Sequence, residues 1–235
     1  MTPNSTKHTV KAFDTDMVEL RGLVADVGGR AEKAVIDAMT ALERNDQSMA
    51  SAVIVKDKDI DELEREIDRM VVQIMALRAP MADDLRVLIA TLKISSKIER
   101  IGDYAKNIAK RVPLIDPDDW MEAADALVPM SQAAIELVDD AMNSYARRDA
   151  DLAIQVCKRD KMVDDFYSAI FRGLIDHMIA VPGQVNAGVH LMFIAKNLER
   201  IGDHATNIAE MVYFSITGDN LIERDRGNDP LDMND

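Results

Sequence analysis

Two dodecapeptides hold the residues of this chain best suited to chemistry, ERIGDYAKNIAK at 99–110 and ERIGDHATNIAE at 199–210. They match at nine of twelve positions across an offset of 100. On a helix, Glu99, Asp103 and Asn107, and likewise Glu199, Asp203 and Asn207, stand at i, i+4, i+8 and line one face with oxygens. Upstream, Asp57 with Asp61 and Asp160 with Asp164 repeat the i, i+4 acid pair at an offset of 103. Hard oxygen donors in such pairs suit Mg²⁺, Mn²⁺, Ca²⁺ or iron, and pairs from two neighbouring helices could hold more than one ion. A solvated acidic face is the plainer reading. Like charges at i, i+4 destabilise a helix by a few tenths of a kcal/mol each, and both copies keep them. That cost points toward a metal role for Glu99, Asp103, Glu199 and Asp203, and less strongly for Asp57, Asp61, Asp160 and Asp164.

Neighbouring residues add detail. Gly102 and Gly202 fall mid-helix, where glycine costs about 1 kcal/mol against alanine, so close helix approach or access to the backbone is expected there. Arg100 and Arg200 adjoin the glutamates and could steady a carboxylate, meet an anion such as phosphate, or form plain surface ion pairs. His204 corresponds to Tyr104 in the first copy of the repeat, which argues against a metal role for it, and His8, His177 and His190 share no ligand spacing. The phosphate-binding loop, the nucleophile elbow and any Cys–His pairing are missing. Glu-x-x-His, which a ferritin-like di-iron oxidase needs, does not occur either. An enzymatic reading has little support.

The elements that must position these residues follow from composition and period. In 235 residues there are 28 Lys plus Arg against 42 Asp plus Glu, a formal net charge of −14, and one cysteine. A single cysteine excludes an intramolecular disulfide or a thiolate metal site and suggests a reduced, cytoplasmic setting. The acidic balance argues against a nucleic-acid partner. No stretch approaches the roughly 18 apolar residues of a membrane span, and the first residues lack a signal-peptide core. Aromatics are only 4% of the chain, whereas helix formers abound. Apolar residues recur in steps of three and four, as in Ile60, Leu63, Ile67, Met70, Ile74 and Leu77.

Punctuation at Asn45-Asp46, Pro80, Pro113 to Pro117, Arg148-Asp149 and Pro182-Gly183 cuts this pattern into six helices. The expected spans are 8–44, 47–78, 82–111, 119–147, 150–180 and 184–216, with Pro129 marking either a later start of the fourth helix or a kink. The fold class is therefore all-α: two tandem, pseudo-symmetric three-helix bundles with long antiparallel helices. The first bundle covers 8–112, the second 119–217, and 218–235 is a polar tail expected to be disordered. Few apolar residues lie in 112–120, so the bundles are expected to pack independently. At 100° per residue, the Glu99 row lies about 170° from the mean direction of Ile98, Ile101, Ala105 and Ile108, facing away from the core.

The stretches ADDLRVLIATLKISSKIERIGDYAKNIAKRV, LMFIAKNLERIGDHATNIAEMVYFSITGD, KDKDIDELEREI and FDTDMVELRGLV together closely resemble the PhoU family of bacterial phosphate-signalling proteins. The resemblance runs from Phe13 to Gly218. It implies paired three-helix bundles whose E(D)-x-x-x-D motifs bind multinuclear metal clusters in some members. Here those motifs are Glu99 with Asp103 and Glu199 with Asp203, then Asp57 with Asp61 and Asp160 with Asp164, and the implied ions are Mg, Mn, Fe or Zn. It also implies a non-catalytic negative regulator of the phosphate-starvation response, linking the ATPase subunit of the high-affinity phosphate ABC transporter to a sensor histidine kinase at the membrane. A homodimer is the expected assembly, and membrane association comes only through partners. The alternative is a carboxylate-bridged metalloenzyme, a metal-dependent phosphatase or oxidase.

Overall fold

The computed structural model describes residues 4–120 and 122–221. It contains six long helices: α1 Asn4–Glu43, α2 Gln47–Arg78, α3 Asp83–Ala109, α4 Leu127–Arg147, α5 Ala150–Ala180 and α6 Val185–Thr217. Among the described residues no strand occurs. The all-helical expectation holds. Of the expected tail, 222–235 lie outside the described residues.

Equivalent devices start the second helix of each half. The Asp46 carboxylate accepts hydrogen bonds from the Ser48 and Met49 amides at 3.0 and 2.9 Å, and Asp149 accepts from the Leu152 amide at 2.9 Å. Each acid satisfies N–H groups that the helix start would leave without partners. The fourth helix departs from expectation. Residues Pro117–Asp119 and Glu122–Ala126 form short 3-10 turns, and α4 begins only at Leu127. Pro129 therefore sits in its first turn, where a missing N–H breaks no hydrogen bond, and no kink is needed.

Helices α1, α2 and α3 pack on one another, as do α4, α5 and α6, but α3 also lies along α6 and α1 touches α4. The expectation of independently packed bundles is therefore corrected. Ile101, Ala105 and Ile108 on α3 and Ile201, Ala205 and Ile208 on α6 are all fully buried within one continuous core. The connector joins that core: Val112, Ile115 and Ala124 are buried, and half-buried Trp120 packs against it while its indole N–H donates to Asp125 at 2.8 Å. The few apolar residues of 112–120 are enough to seat the connector, since Val112, Ile115 and Trp120 all pack on the core. The third helix of each half carries a second seam, and burying it stabilises the assembly by removing apolar area from water.

Equivalent residues of the repeat meet at the α3–α6 crossing. The Tyr104 ring stacks on His204 with centroids 5.4 Å apart and planes 18° from parallel, and the Tyr104 hydroxyl lies 3.4 Å from His204 Nε2. That contact places the pseudo-twofold axis between residues 104 and 204. From it the helices run in opposite directions, because Arg111, seven residues beyond Tyr104 and just past the end of α3, lies over the ring of Phe193, eleven residues back on α6, at 4.1 Å.

A shared core predicts shared cooperativity. Ile67→Ala, at a fully buried position in the first half, should lower stability by about 2–5 kcal/mol. Far-UV circular dichroism and Trp120 fluorescence should then shift together in one transition. Two separated transitions would show that the halves unfold on their own.

Candidate metal and carboxylate sites

Each half brings its two acidic pairs together where its second and third helices cross. Glycine makes this possible. A Cβ on Gly102 would stand 2.8 Å from Ile60 Cδ1 and 3.7 Å from Asp57 Oδ1, and one on Gly202 would stand 3.2 Å from Asp160 Oδ1 and 3.4 Å from Val163 Cγ1. Both glycines thus serve close helix approach and admit a carboxylate beside the α3 or α6 backbone. Asp57 and Asp160 are buried, each 6% exposed.

The expected outward-facing acidic row is corrected here too. The side chains of Glu99 and Asp103 are only 22% and 24% exposed, and that of Glu199 only 12%. An angle measured from a single seam misses the flank that α2 covers on α3, and α5 on α6.

In the first half a lysine occupies the centre. Lys106 Nζ donates to Asp57 Oδ2 at 2.5 Å and to Asp103 Oδ1 at 2.6 Å. Burial opposes its charge, but the hydrogen bonds to Asp103 and Asp57 outweigh burial and hold the ammonium above the ordinary lysine range. Arg100 adds a 3.3 Å contact to Asp103, and Arg65 stands 3.7 Å from Asp61. Glu99 is left under-compensated. Burial, then Asp103, with further contributions from Glu64 and Asp61, pushes its carboxyl up to about 7, with Arg100 opposing. Glu64, one turn from Asp61, is itself raised by burial and by Asp68 and Asp61.

The second half differs in its cation. Thr206 replaces Lys106, and its hydroxyl donates to its own Asp203 carbonyl at 2.8 Å. Lys196, where the first half has Ser96, donates to Glu199 Oε1 at 2.9 Å and sits 4.8 Å from the centre of the Tyr167 ring. Glu199 Oε2 is buried with no hydrogen-bond partner. Burial raises the Glu199 carboxyl, Lys196 opposes, and Asp203 and Asp164 raise it further.

These details test the fit of a metal. Among the described residues no three His, Cys, Asp or Glu side chains are gathered closely enough to hold an ion as they stand. Around Glu199 the donor chemistry fits a hard cation, since a buried carboxylate oxygen lacks a partner and acids surround it. Between Asp57 and Asp103 it does not, because the Lys106 ammonium already supplies the positive charge. The repeat singled out all eight acids by spacing. It missed Lys106, Lys196 and Glu64, whose signal lay in the places where the copies differ.

Fold and sites together define an internally duplicated all-α protein with an acidic cluster at each of two equivalent helix crossings. A family model described as the PhoU domain matches residues 24–112 and 127–212, and the chain belongs to the PhoU family. It is 48% identical over 224 residues to a phosphate-specific transport system accessory protein PhoU homolog of Zymomonas mobilis, covering 95% of this chain and 94% of that one. A homolog of the same description from Caulobacter vibrioides is 44% identical over 220 residues, 93% of this chain and 96% of its own. The crystal structure of PhoU from Pseudomonas aeruginosa superposes with a TM-score of 0.84 at 34% identity, covering 88% of this chain and 100% of that one. The phosphate transport system regulatory protein PhoU from Streptococcus pneumoniae gives 0.83 at 26% identity, covering 89% and 99%.

The Glu99 environment predicts a pH dependence. The unfolded chain loses this proton near 4.5 and the folded chain near 7, so the folded state holds it in between. Stability from this group therefore falls as pH rises from 4.5 to 7 and is level above that. Glu99→Gln should remove that slope and stabilise the protein at pH 8 by about 1 kcal/mol, once solvent screening discounts the full shift. Denaturant melts from pH 4.5 to 8 check this, and an unchanged slope in the variant would refute it.

Proposed function

We propose that this chain is an accessory regulator of phosphate uptake that restrains the phosphate-starvation response when phosphate is plentiful. The observation that carries this reading is membership of the PhoU family through both repeats, with relatives named as accessory proteins of the phosphate-specific transport system. Its partners in this reading are the ATPase subunit of the phosphate ABC transporter and the sensor histidine kinase, both met at the cytoplasmic face, with a second copy of the chain as a homodimer. No described helix is long and apolar enough to cross a membrane, consistent with a membrane role exerted through partners. The role is non-catalytic: Asp57, Asp103 and Glu199 hold lysines rather than ringing an open reaction cavity.

Metal binding belongs to the same proposal. A hard divalent or trivalent ion would be held by Glu199 and Asp203 with Asp160 and Asp164, and in the first half by Glu99 with Asp61. Bound there, it would neutralise carboxylates that folding forces together. In the first half Lys106 competes for Asp103 and Asp57, and in the second Lys196 competes for one Glu199 oxygen while Glu199 Oε2 stays buried without a hydrogen-bond partner, so the second half is the stronger site.

Two outcomes test the proposal. Deleting the gene should switch on a phosphate-starvation reporter in phosphate-rich medium, and unchanged reporter output would count against the regulatory role. Mn²⁺ should raise the melting temperature of the native chain, since an ion at a hundredfold excess over Kd adds about 2.7 kcal/mol. Glu199→Gln with Asp203→Asn should remove most of that rise, and Glu99→Gln with Asp103→Asn a smaller part. An equal rise in the quadruple variant would show that these acids are not the ligands.

A further inference from the structure

The α3–α6 seam carries a line of positive charge in a chain whose net charge is −14. At 100° per residue, Lys93, Ser96, Lys97, Arg100, Tyr104 and Asn107 fall within about 100° of arc on α3, and no acid shares that stripe. From α6, Arg200 reaches to 5.7 Å from the centre of the Tyr104 ring. Lys93, Lys97 and Arg200 form no ion pair with a described carboxylate. Arg111 is committed elsewhere, donating to His190 Nδ1 at 3.0 Å and stacking on Phe193. Arg100 is shared with Asp103 and Glu99.

At one end of this stripe the helices leave a groove of about 490 Å³ lined by Leu92, Lys93, Ser96, Lys97, Asn207 and Met211. Its polar lining holds two ammonium groups, a hydroxyl and an amide, and no carboxylate. Lys93 and Lys97 stand at i, i+4 and Lys97 and Arg100 at i, i+3, arrangements that repel when nothing negative lies between them. Toward the axis, His204 Nδ1 is buried without a hydrogen-bond partner.

We infer that this groove binds a phosphoryl-type oxyanion. Lys93 and Lys97 supply charge, Ser96 and Asn207 supply neutral donors, and Arg200 adds long-range attraction. Charge-assisted hydrogen bonds to several oxygens suit a tetrahedral anion, and the groove is sized for a small molecule rather than a docked domain. The phosphoryl group is either free phosphate or part of a nucleotide. An adaptor can regulate uptake without holding phosphate, so the regulatory reading survives failure of this site.

The test is calorimetric titration of the full chain with sodium phosphate and, separately, with ATP, at constant ionic strength and without divalent ions. Saturable binding of phosphate supports a free-phosphate site, and saturable binding of ATP alone supports a nucleotide phosphoryl group. In either case Lys93→Met with Lys97→Met should weaken binding about tenfold or more. Arg200→Gln should weaken it less, and Lys33→Met, on α1 away from the seam, should leave it unchanged. The His204 imidazole resonance should move on binding in the native chain and stay still in the double variant. Absence of saturable heat with both anions, or equal affinity in the double variant with its circular dichroism intact, would overturn the assignment.

Discussion

Everything else in this molecule depends on the antiparallel packing of α3 on α6. It is where the two copies of the repeat touch at equivalent positions, Tyr104 on His204, and where the core passes from one half to the other. A helix buried on two sides has little surface left for solvent. That leaves its polar residues a few places: the flank beside α2 or α5, where the acids gather, and the open edge of the seam, where the cations lie. The separation of acids from cations follows from which flanks the packing leaves.

Duplication sets the geometry of the acidic clusters, and divergence sets their chemistry. Gly102 and Gly202 let α2 and α5 approach equally, bringing Asp57 and Asp160 to the same depth. A buried carboxylate at such a crossing needs a counter-charge, because desolvating it alone is costly. The first half sets Lys106, from the far side of the motif, on Asp57 and Asp103, and the second sets Lys196, from its near side, on Glu199. Equivalent backbones have arrived at two different ways of balancing equivalent acids. The residue most exposed to that difference is the glutamate: Glu99 is left among Asp61, Glu64 and Asp103, while Glu199 keeps one oxygen unpartnered.

What the sequence revealed and hid follows from the range of each interaction. Helix period and caps are local, so five helices were placed to within a few residues and Asp46 and Asp149 were found as turn markers. The fourth helix was placed eight residues early because its start is decided by buried Ile115 and Ala124, which seat the connector on the core. The eight acids were legible because repetition doubles a spacing signal. Their inward direction and their lysine partners were not, since Lys106 reaches Asp57 across 49 positions of sequence. Identity between copies pointed to the cluster, while the differences, Lys106 against Thr206 and Ser96 against Lys196, held the information about what neutralises it.

Net charge misleads in the same way. A value of −14 is an average over the whole chain. Fields at a protein surface are set by charges within a Debye length, about 8 Å at physiological ionic strength. Burial lowers the His204 imidazole most, and within that reach it also responds to Lys97, Arg100 and Arg200, with Asp203 opposing. The seam therefore carries a local potential opposite in sign to the chain as a whole. The acids that would cancel it are drawn to the other flank of the same helices, where Lys106 and Lys196 hold them. Removing either lysine would free negative charge beside the seam as well as within the cluster, so the acidic and cationic surfaces of this protein are electrostatically coupled through α3 and α6.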